Sequence, residues 1–447
     1  MVDLKVGQEI EMEFGGSATV LNVIGSGGQG TVYLVKFNGQ KWALKWYDID
    51  KMKNPKAFRR NLQENINDGS PSNKFLWPKY LTKENDSGTF GYIMELKPDG
   101  FVSFVDLLNT YKLEIDPLTG CASKRPVRFA SLEAMVTAAI NIVNAFRQLH
   151  RVGKSYQDLN DGGFFINVNT GAVLVCDCDN IAPDGNNFGI GGKPGYMAPE
   201  VVRGVAQPDM QTDKYSLAVI LFKLLFRGDP MEGEKVVRDI CLTESAELRH
   251  YGKDAVFVYD PNDASNRPVR GIHDNVIKFW RVYPEYIKEA FIRSFTRGIT
   301  DPTKRIIENE WQKLFLRLRC EIIKCGCGRT NFSSMFVRLN EKMLKCPKCG
   351  MEFATMWFSN HSIRMPLYLG CKFYASDIFP ESNDFMAVVG QLVENKFKPG
   401  VLGIKNCSSI KWKVKMPDGI FYDINPGRGF PVWQGLEIDF GAVKAKL

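Results

Sequence analysis

A glycine-rich turn near the start of the chain has the spacing of a phosphate-binding loop. Residues 25–32 read GSGGQGTV, which fits the form G-x-G-x-x-G-x-V, and glycine lets a backbone approach phosphate oxygens closely. Taken alone, the pattern equally fits an ordinary hairpin turn. The apolar run at 42–45 (WALK) favours phosphate binding, because it places Lys45 at a distance of 15 residues from the last glycine.

Two later segments carry carboxylates of the kind that hold metal ions and accept protons. Asp158 lies in the sequence SYQDL, and Asp177 lies in CDCDN after a predicted hairpin. Further along the chain come YMAPE at 196–200, DKYSL at 213–217 and DPTKR at 301–305. Together with the glycine-rich turn and Lys45, these segments resemble the ordered motifs of protein kinases. The resemblance covers roughly the first 315 of the 447 residues.

The resemblance implies ATP as the phosphoryl donor, with Mg²⁺ or Mn²⁺, and it implies roles for individual residues. Lys45 would pair with the α- and β-phosphates and with Glu64 on the following helix. Asp158 would be the catalytic base toward a Ser or Thr hydroxyl of a protein substrate, and Asp177 would bind Mg²⁺. The implied nucleotide-site residues are Gly25, Gly27, Gly30, Val32, Ala43, Lys45, Met94, Glu95, Lys97, Asn160, Phe165, Asp177 and Asp179.

Further implied roles concern adenine and the support of the activation segment. Met94 stands at the gatekeeper position behind the nucleotide, and it also fits simple core packing. The backbone at 95–97 forms the hinge that would hydrogen-bond adenine. Arg305 would pair with Glu200, as in the kinase family.

The catalytic segment departs from the kinase pattern at several positions. Gly163 stands where the second metal-binding asparagine is expected, and Asn160 replaces the lysine of Ser/Thr kinases. Gln157 replaces the arginine that contacts a phosphorylated activation loop. Asp179 either supplies a compensating metal ligand or caps a turn with its neighbour. These departures leave a nucleotide-binding pseudokinase scaffold as the alternative to an active enzyme.

The same segment predicts how activity is controlled. Between Asp177 and Glu200 the sequence contains no Ser or Thr, and Tyr196 is the one hydroxyl that could be phosphorylated there. Since Gln157 also removes the cation that would bind a phosphate, we expect activity to be independent of Ser/Thr phosphorylation in this segment.

The details of the catalytic region are similar to those of a bacterial subfamily of Ser/Thr-kinase-like proteins. The similarity rests on the Tyr-x-Asp loop, the CDCDN element and the segment FVYDPNDASNRP at 257–268. Such kinases occur beside a metal-dependent phosphatase and a von Willebrand A protein in tellurite-resistance-type gene sets. The resemblance implies these two proteins as partners.

Four cysteines near residue 335 have the spacing of a metal site. The sequence KCGCG is followed after an interval by KCPKCG. A Cys-x-x-Cys turn like that of the second segment brings two thiolates to one tetrahedral ion. The predicted zinc ligands are Cys325, Cys327, Cys346 and Cys349. Because the first pair has one intervening residue, Cys320 is an alternative ligand, and unliganded buried thiols remain an alternative to zinc.

Composition limits the remaining possibilities. The net charge of +8 is dispersed, which argues against a nucleic-acid partner. The longest apolar stretch, at 217–226, is too short to span a membrane and contains Lys223. No secretory signal is visible, so reduced thiols and a cytoplasmic location are expected.

Periodicity predicts the elements that position these residues. Strands are expected at 15–50 and 75–97, with a short helix at 55–67 between them. A long helix is expected from Ser131 to His150, followed by a hairpin at 164–177 that turns at 169–171. Residues 212–318 are predicted to be mostly helical, with a loop near 258–270.

The predicted fold is α+β: a bilobal protein-kinase fold followed by a zinc ribbon and a small β-sandwich. The predicted boundaries are 1–97 for the N-lobe, 98–318 for the C-lobe, 319–355 for the zinc ribbon and 356–447 for the β-sandwich-like domain.

Overall fold

The computed structural model describes residues 4–116, 119–360, 364–379, 381–395 and 398–447. Within these residues a β-rich lobe is followed by a helical lobe and then by a sheet-rich C-terminal region. None of the helices in this part of the chain is long and apolar enough to cross a membrane.

Six antiparallel strands form the N-terminal sheet, in the order β1-β2-β3-β4-β6-β5. They are β1 (Glu9–Glu11), β2 (Ser17–Gly27), β3 (Gly30–Phe37), β4 (Gln40–Tyr47), β5 (Pro78–Leu81) and β6 (Gly91–Met94). Successive side chains of a strand point to opposite faces. In β3, Tyr33 and Val35 therefore enter the core of the lobe, while Val32 joins a second apolar cluster that extends toward the helical lobe.

Helix α1 (Pro55–Asp68) packs against this sheet. The side chain of Asn54 accepts a hydrogen bond from the Ala57 N–H at 3.2 Å and begins the helix. The helix ends at Gly69, whose φ of +78° favours glycine. Phe58 and Leu62, one turn apart, form its buried face. The predicted helix at 55–67 is confirmed.

The helical lobe is built around two buried helices, α3 and α5, which share one large apolar core. Its helices are α2 (Phe104–Asn109), α3 (Leu132–Arg151), α4 (Pro199–Val202), α5 (Met210–Phe226), α6 (Glu234–Val237), α7 (Glu244–Glu247), α8 (Asp274–Trp280), α9 (Glu285–Phe295), α10 (Arg297–Thr300) and α11 (Glu308–Cys320). Ser131 caps α3 by accepting from the Ala134 N–H at 3.0 Å, so the predicted long helix is confirmed with its start.

Short strands lie between the helices of the helical lobe. They are β7 (Phe101–Ser103), β8 (Tyr111–Ile115), β9 (Ala122–Pro126), β10 (Lys154–Ser155), β11 (Phe164–Asn167), β12 (Val173–Val175) and β13 (Ala182–Pro183). Strands β11 and β12 pair as the predicted hairpin. At its turn, a Cβ on Gly171 would lie 2.3 Å from the Ala134 carbonyl oxygen, so glycine lets the hairpin pack directly on α3.

The described residues of the C-terminal region form three antiparallel sheets, of two, eight and four strands, and one short helix, α12 (Ala375–Ile378). Its strands are β14 (Ile322–Lys324), β15 (Thr330–Phe332), β16 (Val337–Asn340), β17 (Met343–Lys345), β18 (Glu352–Phe358), β19 (Arg364–Pro366), β20 (Lys372–Tyr374), β21 (Val388–Glu394), β22 (Leu402–Asn406), β23 (Trp412–Lys415), β24 (Phe421–Ile424), β25 (Gly429–Pro431), β26 (Glu437–Asp439) and β27 (Lys444–Lys446). Side chains from the eight-stranded and four-stranded sheets share one core, where the ring centroids of Phe358 and Phe373 lie 5.7 Å apart.

Two predicted boundaries fall inside elements. The boundary between residues 355 and 356 lies within β18, which pairs with β17 at its start and with β27 at its end. The cysteine module and the β-domain therefore share a strand, so they are not separated by a linker. The boundary after residue 318 lies in the last turn of α11, which continues to Cys320.

The β-domain is docked on the helical lobe through specific contacts. Phe385 is buried in the core of that lobe, and the Arg319 guanidinium donates to its carbonyl oxygen at 2.5 Å. Lys372 Nζ lies 3.2 Å from a carboxylate oxygen of Glu133 in the first turn of α3. These contacts join the domain to the first turn of α3 and to the last turn of α11.

Candidate active site

The glycine-rich turn joins β2 to β3 and lies against β4. A Cβ on Gly30 would lie 2.1 Å from the Trp46 carbonyl oxygen, so glycine is needed for this close approach. Within the turn, Gln29 Nε2 donates to Asn180 Oδ1 at 3.2 Å, and Lys45 Nζ donates to Gln29 Oε1 at 3.4 Å. The turn is thereby tied to the lysine and to the segment that carries Asp177.

Four of the predicted nucleotide-site residues lie in one apolar cluster that reaches both lobes. They are Val32, Ala43, Met94 and Phe165. Met94 pairs with Ala43 in the register of β6 and β4, which fits both interpretations of Met94. The hinge side chains bond elsewhere, since Glu95 pairs with Lys79 at 3.6 Å and Lys97 Nζ donates to the Phe101 carbonyl at 2.9 Å. Their backbone groups are the part expected to contact adenine.

Lys45 is buried on β4, and its ammonium lies beside two carboxylates. Lys45 Nζ is 2.7 Å from Asp179 Oδ2 and 3.5 Å from Asp177 Oδ1. Burial by itself lowers the pKa of an ammonium group. Here the charges of Asp179 and Asp177 outweigh burial and raise the pKa of Lys45 above its ordinary value. The lysine is therefore held in its charged form.

The predicted ion pair between Lys45 and Glu64 is not formed in this structure. Glu64 lies on the exposed side of α1, whereas the ion pairs of Lys45 are to Asp177 and Asp179. The reason is helical phase, because a residue two positions beyond Leu62 lies about 200° around the helix from it. The buried polar positions of α1 are instead asparagines, Asn61 and Asn65.

The carboxylate of Asp179 is bonded to protein groups and not exposed to a metal site, so the prediction that it helps bind the second ion gains no support from this geometry and stays a prediction. Its side chain is fully buried. Tyr47 Oη donates to Asp179 Oδ2 at 2.7 Å and Tyr92 Oη donates to Oδ1 at 3.2 Å, in addition to the bond from Lys45. Nor does the carboxylate cap a turn, the other interpretation considered, since its bonds go to side chains of the N-terminal sheet.

Asp177 is placed differently from its neighbour. Its side chain is 48% exposed, and one of its carboxylate oxygens lies near Lys45. The exposed part of the carboxylate is compatible with metal binding. Its φ of +51° is in the left-handed region, which costs a residue with a side chain about 1–3 kcal/mol and is concentrated at functional sites. The backbone here directs Asp177 outward and Asp179 inward.

Asp158 is fixed by the neighbouring Asn160. Asn160 Nδ2 donates to Asp158 Oδ1 at 2.9 Å, and the Gly162 N–H donates to Asn160 Oδ1 at 2.8 Å. Burial raises the pKa of Asp158, the Asn160 bond opposes the shift, and the charge of Asp177 adds to it. Asn160 orients the carboxylate in this structure, and its assignment to the nucleotide site stays a prediction.

The glycine at position 163 has a local physical reason. A Cβ there would lie 2.8 Å from Tyr156 Oη. That hydroxyl is fully buried and donates to the Cys176 carbonyl, immediately before Asp177, at 2.5 Å. The tyrosine at 156, where the kinase pattern has histidine, therefore occupies the space that an asparagine side chain at 163 would need.

Buried carboxylates on α5 and α11 hold the catalytic loop and the end of α3 through hydrogen bonds. Asp213 Oδ2 accepts from the Tyr156 N–H at 2.6 Å, and Asp213 Oδ1 accepts from the Gln157 N–H at 3.0 Å. His150 bridges Asp213 Oδ2, at 3.1 Å from Nε2, and Glu308 Oε1, at 2.7 Å from Nδ1. Burial opposes protonation, but the two carboxylates raise the pKa of His150 to about 9.

This bridge predicts a pH dependence of stability. The folded-state pKa of His150 is about 9 and the unfolded value is about 6.5. The bridge's contribution is therefore fully present below pH ~6.5 and is lost as the pH rises through the folded pKa. The difference corresponds to at most about 3 kcal/mol of unfolding free energy.

Urea unfolding at pH 6 and at pH 9.5 measures this effect. We expect His150→Gln to remove most of the loss that the wild type shows between the two values. His273→Gln is the matched control, because His273 Nδ1 accepts from the Val269 N–H and it should keep the wild-type loss. An unchanged pH dependence in His150→Gln would contradict the assignment.

The activation segment is bonded directly to the catalytic loop through Gln157. Gln157 Nε2 donates to the Asn186 carbonyl, and Asn187 Nδ2 donates to Gln157 Oε1 at 3.2 Å. The amide of Gln157 thus holds the segment through neutral hydrogen bonds. An arginine at this position would need a phosphate on the segment as its partner. This geometry agrees with the expected independence from Ser/Thr phosphorylation.

Two contacts of this region were not predicted from the sequence. Lys193 Nζ lies 2.7 Å from Asp161 Oδ1, which brings a cation from the activation segment to the loop that follows Asp158. Tyr156 fills the site of the missing asparagine. A hint for Lys193 was present in its position, three residues before Tyr196 in the YMAPE segment.

The four predicted zinc ligands converge in the C-terminal region. Their sulfur atoms all lie within 4.8 Å of one another, and the Sγ–Sγ distances are 3.4 Å for Cys325–Cys349 and 3.9 Å for Cys327–Cys346. Tetrahedral zinc with Zn–S bonds of about 2.3 Å separates its sulfurs by about 3.8 Å. Four thiolate donors at this spacing fit a structural zinc ion. Cys320 lies outside the group, because its Sγ bonds Asp377 Oδ1 at 3.5 Å.

Comparison with known proteins concerns the two lobes that precede the cysteine group. The model of the protein kinase domain matches residues 18–279. The serine/threonine-protein kinase mos of Patiria pectinifera is 26% identical over 224 residues, which are 47% of this chain and 58% of that protein. G protein-coupled receptor kinase 2 of Caenorhabditis elegans is 25% identical over 273 residues, 58% of this chain and 34% of that protein.

The chain thus spans between about a third and three fifths of the length of these relatives. The match to the domain model includes the glycine-rich turn, Lys45, Asp158, Asp177 and the YMAPE segment. By this match over more than half of its residues, the chain belongs to the protein kinase domain family.

Proposed function

We propose that the chain is an ATP-dependent protein kinase that transfers the γ-phosphoryl group to Ser or Thr hydroxyls of a protein substrate. The observation that carries the proposal is the convergence of Lys45, Asp158 and Asp177 at one cleft. Asp177 lies within reach of the ammonium of Lys45, and both charges act on the carboxyl group of Asp158.

Each of these residues has a distinct part in the proposed reaction. Lys45, kept charged, would bind phosphate oxygens of the nucleotide under the glycine-rich turn. Asp158, oriented by Asn160, would hold the substrate hydroxyl and accept its proton. Asp177 would hold Mg²⁺ or Mn²⁺, which when bound neutralises charge on the transferred phosphoryl group. Lys193 adds a positive charge beside this loop, where Asn160 supplies none.

The second candidate function is a nucleotide-binding scaffold without transfer. Gly163 favours it, because Tyr156 fills the place of the asparagine that holds a second metal ion in the kinase family. The retained Lys45, Asp158 and Asp177 favour the enzyme. We infer that the reaction uses one metal ion, held by Asp177. Gly163 stands at the position of the family's second metal ligand and offers no side-chain oxygen.

The proposal extends to the rest of the chain. A structural zinc ion held by the four cysteines would stabilise a ribbon-like module between the kinase lobes and the β-domain. The subfamily resemblance suggests a bacterial protein that works with a metal-dependent phosphatase and a von Willebrand A protein. We also propose a cytoplasmic location, where thiols stay reduced.

Transfer of label from γ-labelled ATP to a general acceptor protein tests the proposed function. Lys45→Met is expected to lower the rate by roughly 10²–10³-fold, since it removes a preorganised cation from the phosphate site. Lys41→Met on the same strand is the matched control, because Lys41 is exposed and its loss should change little. Undiminished transfer by Lys45→Met would contradict the assignment of the cleft.

A further inference from the structure

Lys45 needs a buried anionic partner, and helix α1 does not supply one. The lysine retains only a small exposed fraction, 7%, and a buried ammonium is costly unless it is paired. On the inner face of α1, Asn61 Nδ2 and Asn65 Nδ2 both donate to the Ile181 carbonyl, at 2.8 and 2.7 Å. The helix therefore contacts the segment after Asp177 through neutral amides.

Asp179 meets each requirement of the missing partner. Its carboxylate is fully buried and makes the shorter of the two ion pairs of Lys45, at 2.7 Å against 3.5 Å for Asp177. Tyr47 and Tyr92 donate their hydroxyl groups to the same carboxylate. With these two bonds both carboxylate oxygens accept hydrogen bonds, which fixes the orientation of Asp179.

The register of the sheet explains why these donors meet. Lys45 and Tyr47 are two residues apart on β4 and so point to the same face. Tyr92 on β6 is the register partner of Lys45. One patch of the sheet thus presents an ammonium and two hydroxyls to a single carboxylate. Burial and then the charge of Asp179 raise the pKa of Tyr47 and of Tyr92, which keeps both hydroxyls protonated as donors.

We propose that Asp179 is the counterion that positions Lys45, in place of the glutamate that the kinase family carries on the helix corresponding to α1. The effect of this pair on phosphoryl transfer rests on the proposed function. Lys45 is then aligned by the segment that also carries Asp177, and this alignment does not require an ion pair to α1. A movement of α1 would leave the catalytic lysine paired, so that control through this helix is uncoupled from the lysine.

A double-mutant cycle in thermal or urea unfolding tests the pair without any need for activity. Lys45→Met leaves the buried carboxylate of Asp179 without its cation, and Asp179→Asn leaves Lys45 with only the longer pair to Asp177. The combined variant removes both charges of the short pair. We expect the combined variant to lose less stability than the sum of the two single losses. The control cycle, Lys45→Met with Glu64→Gln, should be additive. Additive losses for Lys45 and Asp179 would overturn the proposal.

Steady-state transfer at increasing Mg²⁺ tests the functional role. Asp179→Asn should lower kcat by about 10²-fold through misplacement of Lys45, and added Mg²⁺ should not restore it. Glu64→Gln should stay within about twofold of the wild type, as expected for an exposed residue outside the site. Recovery of Asp179→Asn at high Mg²⁺ would identify a metal ligand and overturn the proposal. A wild type that transfers no phosphate would instead refute the proposed function, and the stability cycle would still decide the pairing.

Discussion

Asp177→Ala is expected to reduce phosphoryl transfer by at least about 10³-fold, which corresponds to about 4 kcal/mol of transition-state stabilisation. Asp177 is the half-exposed carboxylate of the cleft, whereas Asp179 is buried. With glycine at 163, that position offers no side chain to share the metal. Loss of Asp177 therefore removes the principal proposed oxygen ligand.

The rate of label transfer at saturating ATP and Mg²⁺ measures this effect. Asp184→Ala is a suitable control, because Asp184 lies later on the same segment, is exposed, and accepts from the Met210 N–H at 2.8 Å. Its variant should retain most of the activity. Substantial turnover by Asp177→Ala would show that another group holds the metal ion.

Cys346→Ser is expected to abolish the binding of one zinc ion per chain and to unfold the module around it. Structural zinc sites of four thiolates contribute much of the folding free energy of small modules. The effect should extend into the β-domain, since β18 belongs to both parts of the C-terminal sheet. Elemental analysis of protein purified without added metal measures the zinc content. Hydrogen exchange over 322–358 measures the unfolding.

Cys407→Ser serves as the control for this experiment. Cys407 is exposed in the β-domain and lies outside the four-cysteine group, so its variant should keep full zinc content and normal exchange. A metal-free wild type with protected amides over 322–358 would contradict the zinc assignment.

Elements with strong local signals could be predicted from the sequence. Ser131 predicted the start of α3 because its hydroxyl can accept from an N–H two or three residues inside a helix. The turn at 169–171 predicted the β11–β12 hairpin, and Gly171 proved necessary for packing against Ala134. The cysteine spacing predicted the convergence of four sulfur atoms. In each case the information lies within a few residues of the chain.

The partner of Lys45 could not be read from motif order alone, because it depends on which side chains are buried together. Glu64 lies in the correct helix, but the apolar residues Phe58 and Leu62 set the buried face elsewhere. Attention to that phase would have placed Glu64 on the exposed side of α1. Finding Asp179 required the register of Tyr92 against Lys45, a relation between strands 47 residues apart.

The absence of a side chain at 163 was visible in the sequence, but its cause was not. Tyr156 and Gly163 are each ordinary in isolation. Their mutual exclusion becomes clear when the loop brings Tyr156 Oη to within 2.8 Å of the place that a Cβ at 163 would occupy. The two departures from the kinase pattern are therefore one coupled change. This coupling explains the missing ligand without implying that the remaining carboxylates are idle.

The central claim is that this cleft transfers a γ-phosphoryl group to protein hydroxyls. Phosphoamino-acid analysis of an acceptor protein, after incubation with γ-labelled ATP and Mg²⁺ or Mn²⁺, tests it most directly. We predict labelled phosphoserine or phosphothreonine with the wild type and none above background with Asp158→Asn. Nucleotide binding by the wild type without labelled protein under either metal would contradict the claim and identify a scaffold.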